Sequence, residues 1–120
     1  MRIFLTYTAI AEFLTGIGLM FCPSFVVRLL LATELYDKLT VLLAIVAGAA
    51  IVSVSLVSWM ARLNATPLIE IKMLLFYNAA VSLVLLYGIV KLGFGGIALW
   101  AIIIFHVIQT AVSVEILRSA

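Results

Sequence analysis

An all-α integral membrane fold is predicted: four antiparallel spanning helices running up and down, with a short interfacial helix between the first and second. Three observations predict it. Hydrophobic residues fill 68% of the 120 positions and charged residues only 10%, against roughly 45–50% and about 25% in soluble domains. A chain this short leaves much of its surface exposed when folded, so the apolar excess has no single core to hide in and suits lipid. Four apolar runs, each near the ~20 residues that cover a ~30 Å hydrocarbon layer, account for the chain as one transmembrane domain over residues 1–120.

The first run covers residues 2–22 and stops at Pro23, which cannot continue the helical hydrogen-bond ladder. Met1-Arg2 before an apolar stretch resembles a signal peptide. However, the stretch is long, carries Glu12 at its middle, and offers bulky Leu19-Met20-Phe21-Cys22 where a cleavage site takes small residues. It is expected to stay as a spanning helix. Residues 24–32 are too few to span, and Arg28 among apolar neighbours suits an interfacial helix whose cation snorkels to water. A polar stretch, TELYDK, completes that connection.

The second run covers 38–62 and contains Ala47-Gly48-Ala49-Ala50. Ala44 with Gly48, and Ala49 with Ser53, repeat small residues every four positions, a spacing that lets helix backbones approach closely in lipid. In the next connection Thr66 is placed to cap a helix and Pro67 to occupy its first turn. The third run covers 68–91, with Glu70 and Lys72 at headgroup depth. Gly93, Gly95 and Gly96 make a turn, and the fourth run covers 97–118. Trp59, Tyr87 and Trp100 fall near run ends, where amphipathic rings mark the membrane boundary. Short connections make successive helices antiparallel neighbours.

Charge and cysteine narrow the function. The net charge is +2 and the cations are scattered, so no basic stripe serves nucleic acid. With four spans both termini share a side. That side holds Arg2, Arg62, Lys72 and Arg118 against Arg28, Lys38 and Lys91, which points to cytoplasmic termini in the cell membrane. Cys22 is alone, which rules out an intrachain disulfide. One histidine and one cysteine do not make a closed zinc site, and one histidine does not supply both axial ligands of a haem within the chain. Gly93-Phe94-Gly95-Gly96 lacks the lysine and preceding strand of a phosphate loop, and no Ser/His/Asp spacing stands out. A non-enzymatic role is expected.

The informative residues are those that lipid does not tolerate. Glu12, Asn78 and His106 each lie near the middle of a run, about ten residues from its edge, and therefore at similar depth at a rise of about 1.5 Å per residue. A charge at the bilayer centre costs at least ~2.5–3.5 kcal/mol on insertion scales, so these side chains are expected to turn inward and meet. Gln109, Thr110 and Ser113 share the His106 face at helical spacing. The expected ligand-binding residues are Glu12, Asn78, His106, Tyr77 and Gln109, with Thr8, Thr15 and Ser53 around them. Gly16 and Gly18 beside Glu12 leave room for a ligand or for a neighbouring helix. Two readings stay open at this point: a ligand or proton site, and interhelical glue worth about 0.6 kcal/mol per contact.

Two resemblances bear on the choice. Glu12, Thr15-Gly16, Leu19 and Pro23, then an interfacial segment and a last helix centred on His106, make the chain similar to the DoxX-like small four-helix membrane proteins. That resemblance implies a four-helix bundle, association with a quinone-linked redox membrane complex, and a quinone or lipid-like ligand near Glu12 and His106. The group's usual basic residue early in the first helix has no clear match. Ala11-Glu12 in a four-helix chain of this length is also similar to the small multidrug resistance transporters. That likeness implies a dimeric proton-coupled exporter with Glu12 taking proton and cationic drug in turn. The third run lacks those transporters' glycine- and aromatic-rich pattern, and His106 is foreign to them. A purely structural homo-oligomer, packed through the small residues of the second run, is the remaining alternative.

Overall fold

Breaks in helicity fall where backbone chemistry requires them. The computed structural model describes all 120 residues and contains five helices and no strand: α1 (Arg2–Phe21), α2 (Pro23–Leu31), α3 (Lys38–Ala61), α4 (Leu68–Leu92) and α5 (Ile97–Ser119). Each helix end lies within one residue of the run read from sequence. By length and composition, α1, α3, α4 and α5 can cross a membrane.

α1 ends at Cys22, whose φ of −134° and ψ of 54° leave the helix while its N–H still reaches the Gly18 carbonyl at 2.8 Å. Pro23 then opens α2 at a first-turn position, where its missing N–H costs nothing. α2 closes on Ala32 in the left-handed region, with φ 51° and ψ 34°, a conformation that costs a Cβ-bearing residue roughly 1–2 kcal/mol. α3 begins with a reciprocal cap. The Asp37 carboxylate accepts from the Thr40 N–H at 2.9 Å, and the Thr40 hydroxyl donates back to the Asp37 carbonyl at 2.9 Å.

The cap expected at Thr66 is corrected. Pro67, with φ −80° and ψ 49°, precedes α4 and carries no side-chain cap. The chain tightens there into a three-residue turn in which the Leu68 N–H bonds the Thr66 carbonyl at 2.9 Å. Thr66 therefore sits one residue too early, and its side chain is exposed. α4 ends on Gly93 at φ 72°, and the Phe94 N–H returns to the Gly88 carbonyl at 3.1 Å. Gly96, at φ 134°, leads into α5.

The chain forms two compact units, residues 1–65 and 66–120. In the first, α1 buries Leu5, Thr8, Ala9, Glu12, Gly16 and Leu19, a three-to-four spacing that lines one helix face. α1 packs along α3, and the tightest point joins two glycines. A Cβ on Gly48 would lie 2.7 Å from the Gly16 carbonyl oxygen and 2.9 Å from the Leu19 Cβ; one on Gly16 would lie 2.7 Å from a Val52 methyl. Backbone meets backbone here, as small residues permit in lipid. Of the two occupants expected beside Gly16, a ligand or a neighbouring helix, it is the helix α3 that lies there, and Gly48 packs against α1 within the chain. Ala47, Ala49, Ala50 and Ser53 of that small-residue stretch reach the surface, whereas Gly48 does not. α2 folds against the far end of α1: Val26 and Val27 form a core with Leu19, ringed by Leu30, Leu31, Leu35, Ala44 and Ile51. Arg28 stays exposed.

In the second unit α4 packs against α5. α4 buries Ile71, Leu74, Asn78, Ser82 and Gly88; α5 buries Leu99, Ile103, His106, Gln109 and Ser113. Hydroxyls inside these apolar helices donate to carbonyls four residues back, as Ser82 does to Asn78, Thr110 to His106 and Ser113 to Gln109. That back-bonding removes the penalty of an unmet O–H.

Candidate functional site

α4 and α5 supply the best-defined polar cluster. Asn78 and His106, 28 residues apart in sequence, face each other with Asn78 Oδ1 and His106 Nδ1 at 2.7 Å. Asn78 has no exposed surface and His106 only 6%. Asn78 Nδ2 donates to the Leu74 carbonyl at 2.8 Å, which fixes the amide and leaves its oxygen toward the imidazole. An amide oxygen only accepts, so Nδ1 carries the proton and Nε2 keeps a lone pair in the neutral ring. Two aromatic rings meet the imidazole edge-on, Tyr77 at 5.8 Å and Phe105 at 5.4 Å between centroids. Gln109 is buried one turn beyond His106 on the same face.

The structure thus brings Asn78, His106 and Tyr77 together and places Gln109 beside them within one unit. Glu12 belongs to the other unit. It is 4% exposed, on the buried face of α1 between Ala9 and Gly16. Thr8 is buried and Thr15 partly so; their hydroxyls donate to the Phe4 and Ala11 carbonyls at 3.0 Å each. Ser53 is corrected: it is exposed and bonds the Ala49 carbonyl. Its place is taken by Ser55, which is buried and donates across to the Ala9 carbonyl of α1 at 2.7 Å. The helical period explains the exchange, since Ser55 lies seven residues from Gly48, two turns along the same face, whereas five residues carries Ser53 around the helix.

Sequence reasoning also passed over a pairing at the end of α3. The Arg62 guanidinium lies 3.3 Å above the centre of the Trp59 ring, and its Nε donates to the Trp59 carbonyl at 3.1 Å. The signal was present as an aromatic and a cation three apart on one helix. No three His, Cys, Asp or Glu side chains gather as a metal site would need. No protein-family model, curated protein or solved structure matches the chain.

Proposed function

We propose that this chain is a multi-pass protein of the cell membrane, a four-helix bundle running up and down, with α2 lying at the interface and the termini cytoplasmic. In this reading the Asn78–His106 pair is the polar end of a site for a small hydrophobic molecule of quinone or lipid-like chemistry. The exposed apolar faces of the long helices, with Phe76 78% and Ile97 92% exposed, support placement in lipid. The observation that carries the ligand reading is the 2.7 Å bond between Asn78 Oδ1 and His106 Nδ1.

That bond sets the chemistry of the other nitrogen. With Nδ1 donating to Asn78, Nε2 accepts a hydrogen bond and does not give one. The preferred partner is therefore a hydroxyl, such as that of a reduced quinone or a hydroxyl-bearing lipid, over a bare carbonyl. Tyr77 and Phe105 flank the imidazole with apolar ring surface, and the Gln109 amide adds a donor and an acceptor a turn away. No bond to the ligand is made or broken in this role, which suits a binding protein or an anchor of a redox membrane complex. Glu12 joins the reading from the sequence side, as an ionisable residue buried at mid-run.

The test is ligand retention. Protein purified in mild detergent and extracted with organic solvent is expected to release a quinol or hydroxyl-bearing lipid by mass spectrometry. His106→Phe is expected to lose it while the far-ultraviolet helix signal stays unchanged. A protein that carries nothing, and whose His106 15N shifts do not respond to an added short-chain quinol, overturns the reading.

A further inference from the structure

We propose that the groove between α1 and α3 binds one acyl chain of an anionic phospholipid from the surrounding bilayer, with Arg62 taking its phosphate. The proposal rests on the membrane reading above and on observations within the first compact unit. The groove is open on one side, has a volume of about 310 Å³ and is lined by Ile10, Phe13 and Leu14 of α1 and by Ser55, Leu56 and Trp59 of α3. This lies at the lower end of the about 300–1,000 Å³ of small-molecule pockets, a size that suits one acyl-chain segment. The Ser55 hydroxyl is already given to the Ala9 carbonyl, so the wall is hydrocarbon. Ile10, Phe13, Leu14, Leu56 and Trp59 are all exposed, so a chain enters from the side without leaving the bilayer.

The head end is cationic. Arg62 follows the last turn of α3, where its guanidinium is held over the Trp59 ring and tied by Nε to the Trp59 carbonyl. Those contacts leave the two Nη groups for a bidentate phosphate. The α1–α3 contacts pair Ala9 with Ser55 and Gly16 with Gly48. Residue numbers thus rise on one helix as they fall on the other, and the same register continued brings Arg2 level with Arg62. α1 has no acidic residue in its first turn, and none occurs between Lys38 and Ala65. Two cations at this end of a unit whose residues 1–11 and 38–65 hold no acid argue for an anionic occupant. They argue against a second copy of the chain, whose symmetric contact would set the same cations against each other.

Trp59 reports on the groove. Trp100→Phe leaves it as the sole tryptophan of the two in the chain, and reconstituted vesicles of phosphatidylcholine are doped with equal fractions of brominated phosphatidylglycerol or brominated phosphatidylcholine. Trp59 fluorescence is expected to be quenched with about fivefold preference for the anionic lipid, the size of effect one interfacial cation provides. Arg62→Gln is expected to remove the preference and Lys91→Gln to leave it. Equal quenching by the two lipids in the Trp100→Phe protein overturns the site whatever the charge variants do. So does a preference that survives loss of both Arg62 and Arg2. Absence of quenching by either lipid overturns the membrane reading itself.

Discussion

A single amide decides the protonation pattern of the only imidazole in the chain. Because Asn78 donates to Leu74 and accepts from His106, the ring is set as the Nδ1–H tautomer before any ligand arrives. The same economy operates at Gly48, where the missing side chain does the packing. A leucine there has to displace the Gly16 carbonyl and Leu19, so Gly48→Leu is expected to destabilise the protein by at least the ~1–3 kcal/mol typical of overpacking. Ala49→Leu, one residue on and exposed, is expected to stay within about 0.5 kcal/mol. Unfolding in mixed detergent followed by circular dichroism compares the two; equal losses would sink the glycine contact. Which polar residues are buried was legible at this scale, since a glutamate, an asparagine and a histidine stand out in apolar runs. Which partner each takes was not, because Asn78–His106 and Gly16–Gly48 are long-range pairings that no local period encodes.

Helix bounds were the most legible feature at the scale of elements, because proline and glycine act on the backbone directly. Pro23 and Gly93 mark ends that the structure reproduces. Thr66 misled because a threonine before a proline reads as a cap until the proline's own turn is known. The cap at Asp37 was readable as an acid three residues before a threonine, but the whole TELYDK stretch looked uniformly polar. The backbone N–H of Thr40 holds the Asp37 carboxyl below its ordinary pKa. With the folded value lower than the unfolded one, the cap's contribution is complete above the unfolded value of about 3.9. It is lost as pH falls through the folded value. Protection of the first-turn amides of α3, taken relative to their intrinsic exchange at each pH, is therefore expected to fall on acidification below about pH 4. Asp37→Asn, which keeps a capping oxygen without the charge, is expected to abolish that dependence; an unchanged pH response in the variant would assign it elsewhere.

For the whole molecule, the four-span reading fixes which connections share a side. Cys22, exposed after α1, and Asn64, exposed after α3, follow the first and second spans and so fall on opposite faces of the membrane. With cytoplasmic termini, a membrane-impermeant maleimide is expected to label Cys22 in intact cells. In a Cys22→Ser chain carrying Asn64→Cys, labelling is expected only after permeabilisation. The reverse pattern inverts the orientation, and identical labelling of the two positions breaks the four-span topology. The apolar runs made four helices long enough to cross a membrane readable from the sequence. The division into two compact units was not readable, since it depends on which helices pack.

That division falls between Ala65 and Thr66, in an exposed stretch of chain, and it leaves two long apolar helices on either side. An even number of crossings returns a polypeptide to the face it started from. In the four-span reading, severing the gene at this seam yields two fragments, neither inverted by loss of the other, so co-expressed halves are expected to keep the orientation of the intact chain.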